Sequence, residues 1–450
     1  MMKQISKKFK KVTSAALAMA LGIGMALPTL ALPDGWYAKD ETDVVEIVVT
    51  KNLMMPINTH VPTINFDFDF TALEVEGSRE AADVAKMPSI DSVSVSFTSA
   101  DQKDVKIVQD AQNNDTGVQY VMKESENIFG QTINWPHAGL YMYSAVENQT
   151  VALPGEGKGD IDEILILSEA EYRMEILVAE KSDKTGYYIA GIAIRIIKGD
   201  EGEAANGKVD GRPGGPDGDD GFSEFRFRNI YVKNNGKTDP EEPEVIDEFT
   251  MLDINKTVKG ELASTDKLFD FLVTVHKAEI GVKDTLKYRA YVLNKLENGD
   301  YAIADIGFTP EGGTLKQDGK NNDYIEFSTG SEVKVKLTHN QRLAFTDLPV
   351  GTSFTVTEKG ALNYLPSYNL TIDGEGPVNN KGEYNTDLTV PQKYIGEDEN
   401  SVAFLNAYNE GPTTGITVDN MPYIVMIALA MFALAGFTAV KYRRGLKFQA

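Results

Sequence analysis

Glu224-Phe225-Arg226-Phe227-Arg228-Asn229-Ile230-Tyr231 alternates so regularly that a β-strand is the conformation that gives it two coherent faces. Phe225, Phe227, Asn229 and Tyr231 fall on one face, and Glu224, Arg226 and Arg228 on the other. The first face is apolar except for a carboxamide in its middle. That misplaced Asn229 opens both the fold and the chemistry of the chain.

The same period-2 pattern recurs on both sides of this stretch. Ser92-Val93-Ser94-Val95-Ser96-Phe97 and Glu332-Val333-Lys334-Val335-Lys336-Leu337 alternate, Tyr172 to Val178 does so similarly, and Tyr187 to Ile197 is β-rich. Gly, Asn and Asp clusters punctuate these runs, and no stretch between the termini keeps a 3.6-residue period. The pattern predicts an all-β body built of sandwiches. The charged, Pro-bearing segment 233–250, with Asn234-Asn235-Gly236 and Asp239-Pro240, reads as a linker between a first domain, 32–232, and a second, 251–410.

Other strands carry further anomalies. Val45, Ile47, Val49 and Lys51 share a face, as do Tyr141, Tyr143, Ala145 and Glu147. After the linker the same set returns in the same order: Leu252, Ile254, Lys256 and Val258; then Phe354, Val356 and Glu358; then Val402, Phe404, Asn406 and Tyr408. One Lys or Glu at a strand end is ordinarily explained by its stem lying on apolar surface with its tip in water. Two ordered Lys…Glu…Asn sets are much less readily explained that way. Burial lowers an amine pKa and raises a carboxyl pKa, so it supplies a neutral nucleophile and a protonated acid. Beside a carboxamide these are the parts for amide exchange: the lysine nitrogen attacks, the acid moves protons and ammonia leaves.

The whole chain has 450 residues, with 44 Lys plus Arg against 67 Asp plus Glu and a net charge of −23, a balance that argues against nucleic-acid binding. It has no cysteine, which excludes disulfides and thiolate metal sites and gives a lysine–asparagine crosslink a purpose. The four histidines, His60, His137, His276 and His339, do not pair at metal-ligand spacing, and no nucleophile elbow or phosphate loop occurs. No cofactor and no metal is expected. The acidic run Asp217-Gly218-Asp219-Asp220 lacks a full calcium-loop spacing and reads as a solvated loop.

The ends describe export. Residues 1–31 carry Lys3, Lys7, Lys8, Lys10 and Lys11 before an apolar run, and Thr29-Leu30-Ala31 ends a signal peptide. Met421 to Val440 is an uncharged run of 20 residues, enough to span ~30 Å of hydrocarbon, followed by Lys441, Arg443, Arg444 and Lys447.

At these residues the chain resembles Gram-positive sortase-assembled pilins, in particular the two-domain major pilin of group A streptococci. The resemblance is carried by Val48-Val49-Thr50-Lys51-Asn52-Leu53, by Gly139-Leu140-Tyr141-Met142-Tyr143 leading to Glu147, by Ser168-Glu169-Ala170-Glu171-Tyr172, and by Phe225-Arg226-Phe227-Arg228-Asn229. In the second half it is carried by Leu252-Asp253-Ile254-Asn255-Lys256, by Leu348-Pro349-Val350-Gly351 through Glu358, and by Phe404-Leu405-Asn406. It implies two tandem immunoglobulin-like Greek-key sandwiches with spontaneous isopeptide bonds Lys51–Asn229 and Lys256–Asn406, promoted by the acids Glu147 and Glu358.

It also implies a sorting signal over 411–450, in which Gly411-Pro412-Thr413-Thr414-Gly415 stands where the family has Leu-Pro-x-Thr-Gly. A sortase would cut between Thr414 and Gly415. The acceptor amine would come from a lysine before the Asn-bearing strand, for which Lys208 and Lys198 are the nearest candidates. The implied partners are a sortase, other pilin subunits and peptidoglycan, on a wall-anchored, non-enzymatic surface protein. The alternative is a wall-anchored adhesin or minor pilin that binds a host ligand without polymerising.

Overall fold

The computed structural model describes residues 37–38, 41–42, 45–153, 162–215, 221–234, 251–281, 286–408 and 421–446. The segment 1–31, most of the linker, the Asp217–Asp220 run and the 411–415 motif lie outside the described residues.

The body is mostly β, in four sheets. One sheet of the first half runs, in hydrogen-bonded order, through Tyr37–Ala38, Tyr187–Lys198, Glu171–Glu180, Gly139–Glu147, Ile64–Val75 and Val93–Phe97, with Ala204–Val209 beside Tyr187–Lys198. Its partner runs through Lys106–Gln109, Asp115–Glu124, Thr50–Pro56, Arg226–Asn234 and Asp162–Ile166. Side chains of both sheets meet in one core that contains Leu53, Phe66, Phe68, Tyr141, Tyr143, Phe225 and Phe227.

In the second half the larger sheet centres on Leu252–Lys259, flanked by Gln341–Phe345 and Ser401–Tyr408. The smaller one runs through Glu332–Leu337, Phe269–His276, Ser353–Glu358 and Leu388–Tyr394. These two also share a single core, around Ile254, Phe271, Val356 and Phe404. Alternation explains the arrangement: Phe269–His276 is buried at every second residue, so one face is core and the other is not.

In each half the opening and closing strands are parallel neighbours. Thr50–Pro56 pairs with Arg226–Asn234, and Leu252–Lys259 with Ser401–Tyr408. Parallel pairing needs a long connection, and here the rest of each half supplies it.

Some local readings change. The ladder of the opening strand begins at Thr50, although Val45, Ile47 and Val49 are buried as their alternation requires. Their amides find irregular partners instead: Ile47 donates to the Asn127 side chain, Val49 to Ser125 Oγ and Val48 to the Gly211 carbonyl. Lys233 and Asn234, read as linker, continue the closing strand opposite Glu163 and Asp162. A short helix, Ala81–Val84, and a 3-10 turn, Ser99–Asp104, interrupt the first half.

The C-terminal run is helical over Met421–Leu446. Among the described residues, however, no helix is long and apolar enough to cross a membrane. The expected span Met421–Val440 is therefore present as a helix and not as a demonstrated crossing; side chains at 421, 422 and 424 lie outside the description.

Specific groups join the halves among the described residues. The Glu397 carboxylate accepts the His60 N–H at 2.8 Å and pairs with Lys233 Nζ at 2.5 Å. Asn58 Nδ2 donates to the Tyr394 carbonyl. Gly351, at φ +79°, packs so closely on Pro56 that a Cβ would sit 2.3 Å from the proline Cβ, which accounts for glycine in the Leu348–Gly351 turn.

Candidate functional site: two buried Lys–Glu–Asn clusters

The six singled-out residues gather into two clusters, one in each core. Lys51, Glu147 and Asn229 are 0%, 2% and 0% exposed, and Lys256, Glu358 and Asn406 are each 1% exposed. The parallel ladder sets the spacing of the first two partners. Lys51 lies opposite Phe227, so Asn229, two residues on, faces the same way one step along the sheet. Lys256 lies opposite Phe404, and Asn406 follows two residues later in the same register.

The glutamate descends from the other sheet. Glu147 ends its strand opposite Phe68, and Glu358 ends its strand opposite Phe271. In the first cluster Lys51 Nζ donates to Glu147 Oε2 at 2.7 Å, and Asn229 Nδ2 donates to Oε1 at 2.6 Å. In the second, Lys256 Nζ at 2.5 Å and Asn406 Nδ2 at 2.8 Å both donate to Glu358 Oε1.

Burial sets the protonation chemistry. Desolvation pulls Lys51 and Lys256 down to about 8, against the pull of the facing carboxylates. Desolvation likewise pushes Glu147 and Glu358 upward, opposed by the lysines and the asparagine amides, and at Glu147 also by the Ser168 backbone amide. Both shifts move each pair toward neutral amine and neutral acid, and the neutral amine is the nucleophile.

Sequence reasoning missed the walls of these clusters. Lys51 Nζ sits 4.4 Å from the Phe66 ring centroid and 5.8 Å from Phe68; Lys256 Nζ sits 4.1 Å from Phe269 and 5.9 Å from Phe271. Phe68 in turn packs on Phe227 and Phe271 on Phe404. The signal was present as Phe66-Asp67-Phe68 and Phe269-Asp270-Phe271, each shortly after its lysine. These rings exclude water and give the ammonium a π-face while it is charged.

The candidate acceptor lysines lie elsewhere. Lys198 ends the strand Tyr187–Lys198, is exposed and pairs with Glu171 at 2.8 Å; Lys208 is exposed on the adjoining strand, opposite Arg195. Neither approaches the clusters. The tertiary structure also gathers His60, Asp373 and Asp398, whose ligand atoms lie within 4.8 Å of one another at the junction of the halves. Sequence spacing hides that group. His60 and Asp398 are exposed and Asp373 is half-buried.

Residues 250–408 match the model of a family described as a domain of unknown function, DUF7601. Among curated proteins none matches in sequence. Among solved structures, a major pilin from Streptococcus pyogenes is similar at 15% identity, covering 82% of this chain and 99% of the pilin, with a TM-score of 0.29. The T-13 major pilin of the same organism is similar at 14% identity, covering 83% of this chain and 99% of its own, with a TM-score of 0.25. A pilus-presented adhesin, Cpa, is similar at 14% identity over 48% of this chain and 35% of the adhesin, with a TM-score of 0.20.

Proposed function

We propose that the chain is a structural subunit of the cell surface whose two sandwich domains crosslink themselves, Lys51 to Asn229 under Glu147 and Lys256 to Asn406 under Glu358. One observation carries this reading: in each half a single buried carboxylate accepts hydrogen bonds from both the lysine and the asparagine. An ion pair kept for stability alone would be a poor choice, because burying two charges costs several kcal/mol per ion before their attraction is counted. A covalent product removes both that charge and that cost.

Each bond would tie the first strand of a half to its last, where tension on the termini would otherwise shear the parallel pair apart. The chain then bears load without cysteine. Export by segment 1–31 and sortase cleavage between Thr414 and Gly415 complete the reading, and they rest on the sequence. The subunit would join a pilus through Lys208 or Lys198 and end on peptidoglycan. A non-polymerised adhesin or minor pilin is the alternative function for the same fold. A detergent-resistant, high-mass ladder in surface extracts favours the polymer; its absence, with wall-bound monomer, favours the adhesin.

The decisive experiment is a mass measurement. The chain, produced without sortase, should be lighter than its calculated mass by two ammonia molecules, with linked peptides containing Lys51–Asn229 and Lys256–Asn406. A mass equal to the calculated one rejects the crosslink.

A further inference from the structure

The two clusters differ at the carbonyl that must be attacked. Asn229 Oδ1 accepts the backbone N–H of Ser168 at 2.7 Å inside the core. Among the described residues, Asn406 Oδ1 and Glu358 Oε2 are buried without a hydrogen-bond partner. The difference has a local cause. Beside Asn229 the neighbouring strand ends at Ile166, and the chain turns so that Ser168 aims its amide inward. Beside Asn406 the neighbouring strand runs on in regular pairing, and the residue opposite is Pro366, which has no N–H to give.

The Ser168 turn is firmly held. Its Oγ donates to Asp200 Oδ1 at 2.7 Å and accepts the Ala170 N–H, while Gln149 Nε2 donates to its carbonyl. The same Asp200 oxygen accepts the N–H of Arg228, the residue before Asn229. Asp200 therefore positions donor and substrate carboxamide on one carboxylate.

Building on the crosslinking reading above, we propose that the Ser168 N–H polarises the Asn229 carbonyl, which leaves Glu147 as a proton shuttle between the two nitrogens. Glu147 is arranged for that task, with Oε2 on Lys51 Nζ and Oε1 on Asn229 Nδ2. The neutral lysine nitrogen bonds to Cγ as the C=O pair moves onto Oδ1, held by the Ser168 N–H. Glu147, ionised at the start, takes one proton from Nζ at Oε2 and, as the neutral acid, hands that same proton on to Nδ2. The Cγ–Nδ2 bond breaks and ammonia leaves; amine plus carboxamide has become secondary amide plus ammonia, with no redox change. In the second cluster both nitrogens crowd one oxygen, and among the described residues the donor left for Asn406 Oδ1 is a proton on Glu358 Oε2. That site needs its glutamate protonated before attack, and the first does not.

The test follows each crosslink separately by its linked peptide in full chain made by cell-free translation. Replacing the Ser168 amide by an ester, through nonsense suppression with the α-hydroxy analogue of serine, removes the N–H alone. The first crosslink should slow roughly a hundredfold, as when one oxyanion donor is lost, and the second should be unchanged. Ser168→Ala, which keeps the N–H, should retain most of the first rate. A first crosslink at the wild-type rate in the ester chain overturns the proposal. If the ester chain misfolds, wild-type pH profiles decide. As pH rises past about 8 the lysines lose their protons and the first rate should rise and hold, while the second, which also needs Glu358 to keep its proton, should drop behind it, widening their ratio about tenfold for each pH unit above the Glu358 pKa. A constant ratio overturns the proposal. Absence of both crosslinks in wild-type chain would instead defeat the reading on which it rests.

Discussion

The two halves reach the same cluster through different sheets. In the first, lysine and asparagine sit in the smaller sheet and the glutamate comes from the larger; in the second the assignment is reversed. What stays constant is the parallel pair with its two-residue offset, a glutamate at the end of a facing strand and two phenylalanines over the amine. The cluster therefore belongs to the junction of first strand, last strand and facing sheet, and the flanking strands are free to vary. Where they vary most, at Ser168 against Pro366, the hydrogen bonding of the carboxamide changes with them.

The largest effect that tests this equivalence comes from removing the acids. Glu147→Ala should abolish the first ammonia loss and leave the second, and Glu358→Ala the reverse, each read by intact mass. Losing a bond that closes a loop of more than ~100 residues should lower stability by roughly 4–5 kcal/mol in the loop-closure model, seen as a lower melting temperature by calorimetry. If either variant still loses two ammonia molecules, the halves do not work alike.

A smaller effect sharpens the role of the rings. In chains blocked by Asn229→Ala or Asn406→Ala, the further changes Phe66→Leu and Phe269→Leu should each cost about 1–2 kcal/mol in urea unfolding. Equal costs in the two halves would show that the phenylalanines serve one purpose. A cost in one alone would separate them.

The smallest effect concerns how independent the halves are. Glu397→Gln keeps an acceptor for the His60 N–H and removes the ion pair with Lys233, at about 1 kcal/mol. The crosslinks should form as before, while the halves unfold over a wider temperature range because less couples them. Unchanged cooperativity would place the coupling in the apolar contacts at Pro56 and Gly351 instead.

Much of the candidate site was legible because a polar residue on an apolar strand face breaks a local pattern. Lys51, Glu147, Asn229 and their second-half counterparts announce themselves by parity alone. The Phe-Asp-Phe pairs were equally visible but look like any core alternation, so nothing marked them as walls of a site. Ser168 stands in the Ser168–Tyr172 motif, and its contribution is a backbone N–H, a group nearly every residue has. The meeting of His60 and Lys233 with Glu397 across the two halves left no trace in spacing.

Side-chain parity along a strand is set by the two-residue repeat of the extended backbone, so the sequence by itself determined which residues face inward and which of those are chemically out of place. Whether they meet was decided by the tertiary structure, through the parallel register of strands far apart in the chain and the descent of a glutamate from the facing sheet. Register depends on pairing between distant segments, and a backbone amide becomes a specific donor only where the chain turns it inward. Neither is written in any single stretch of residues.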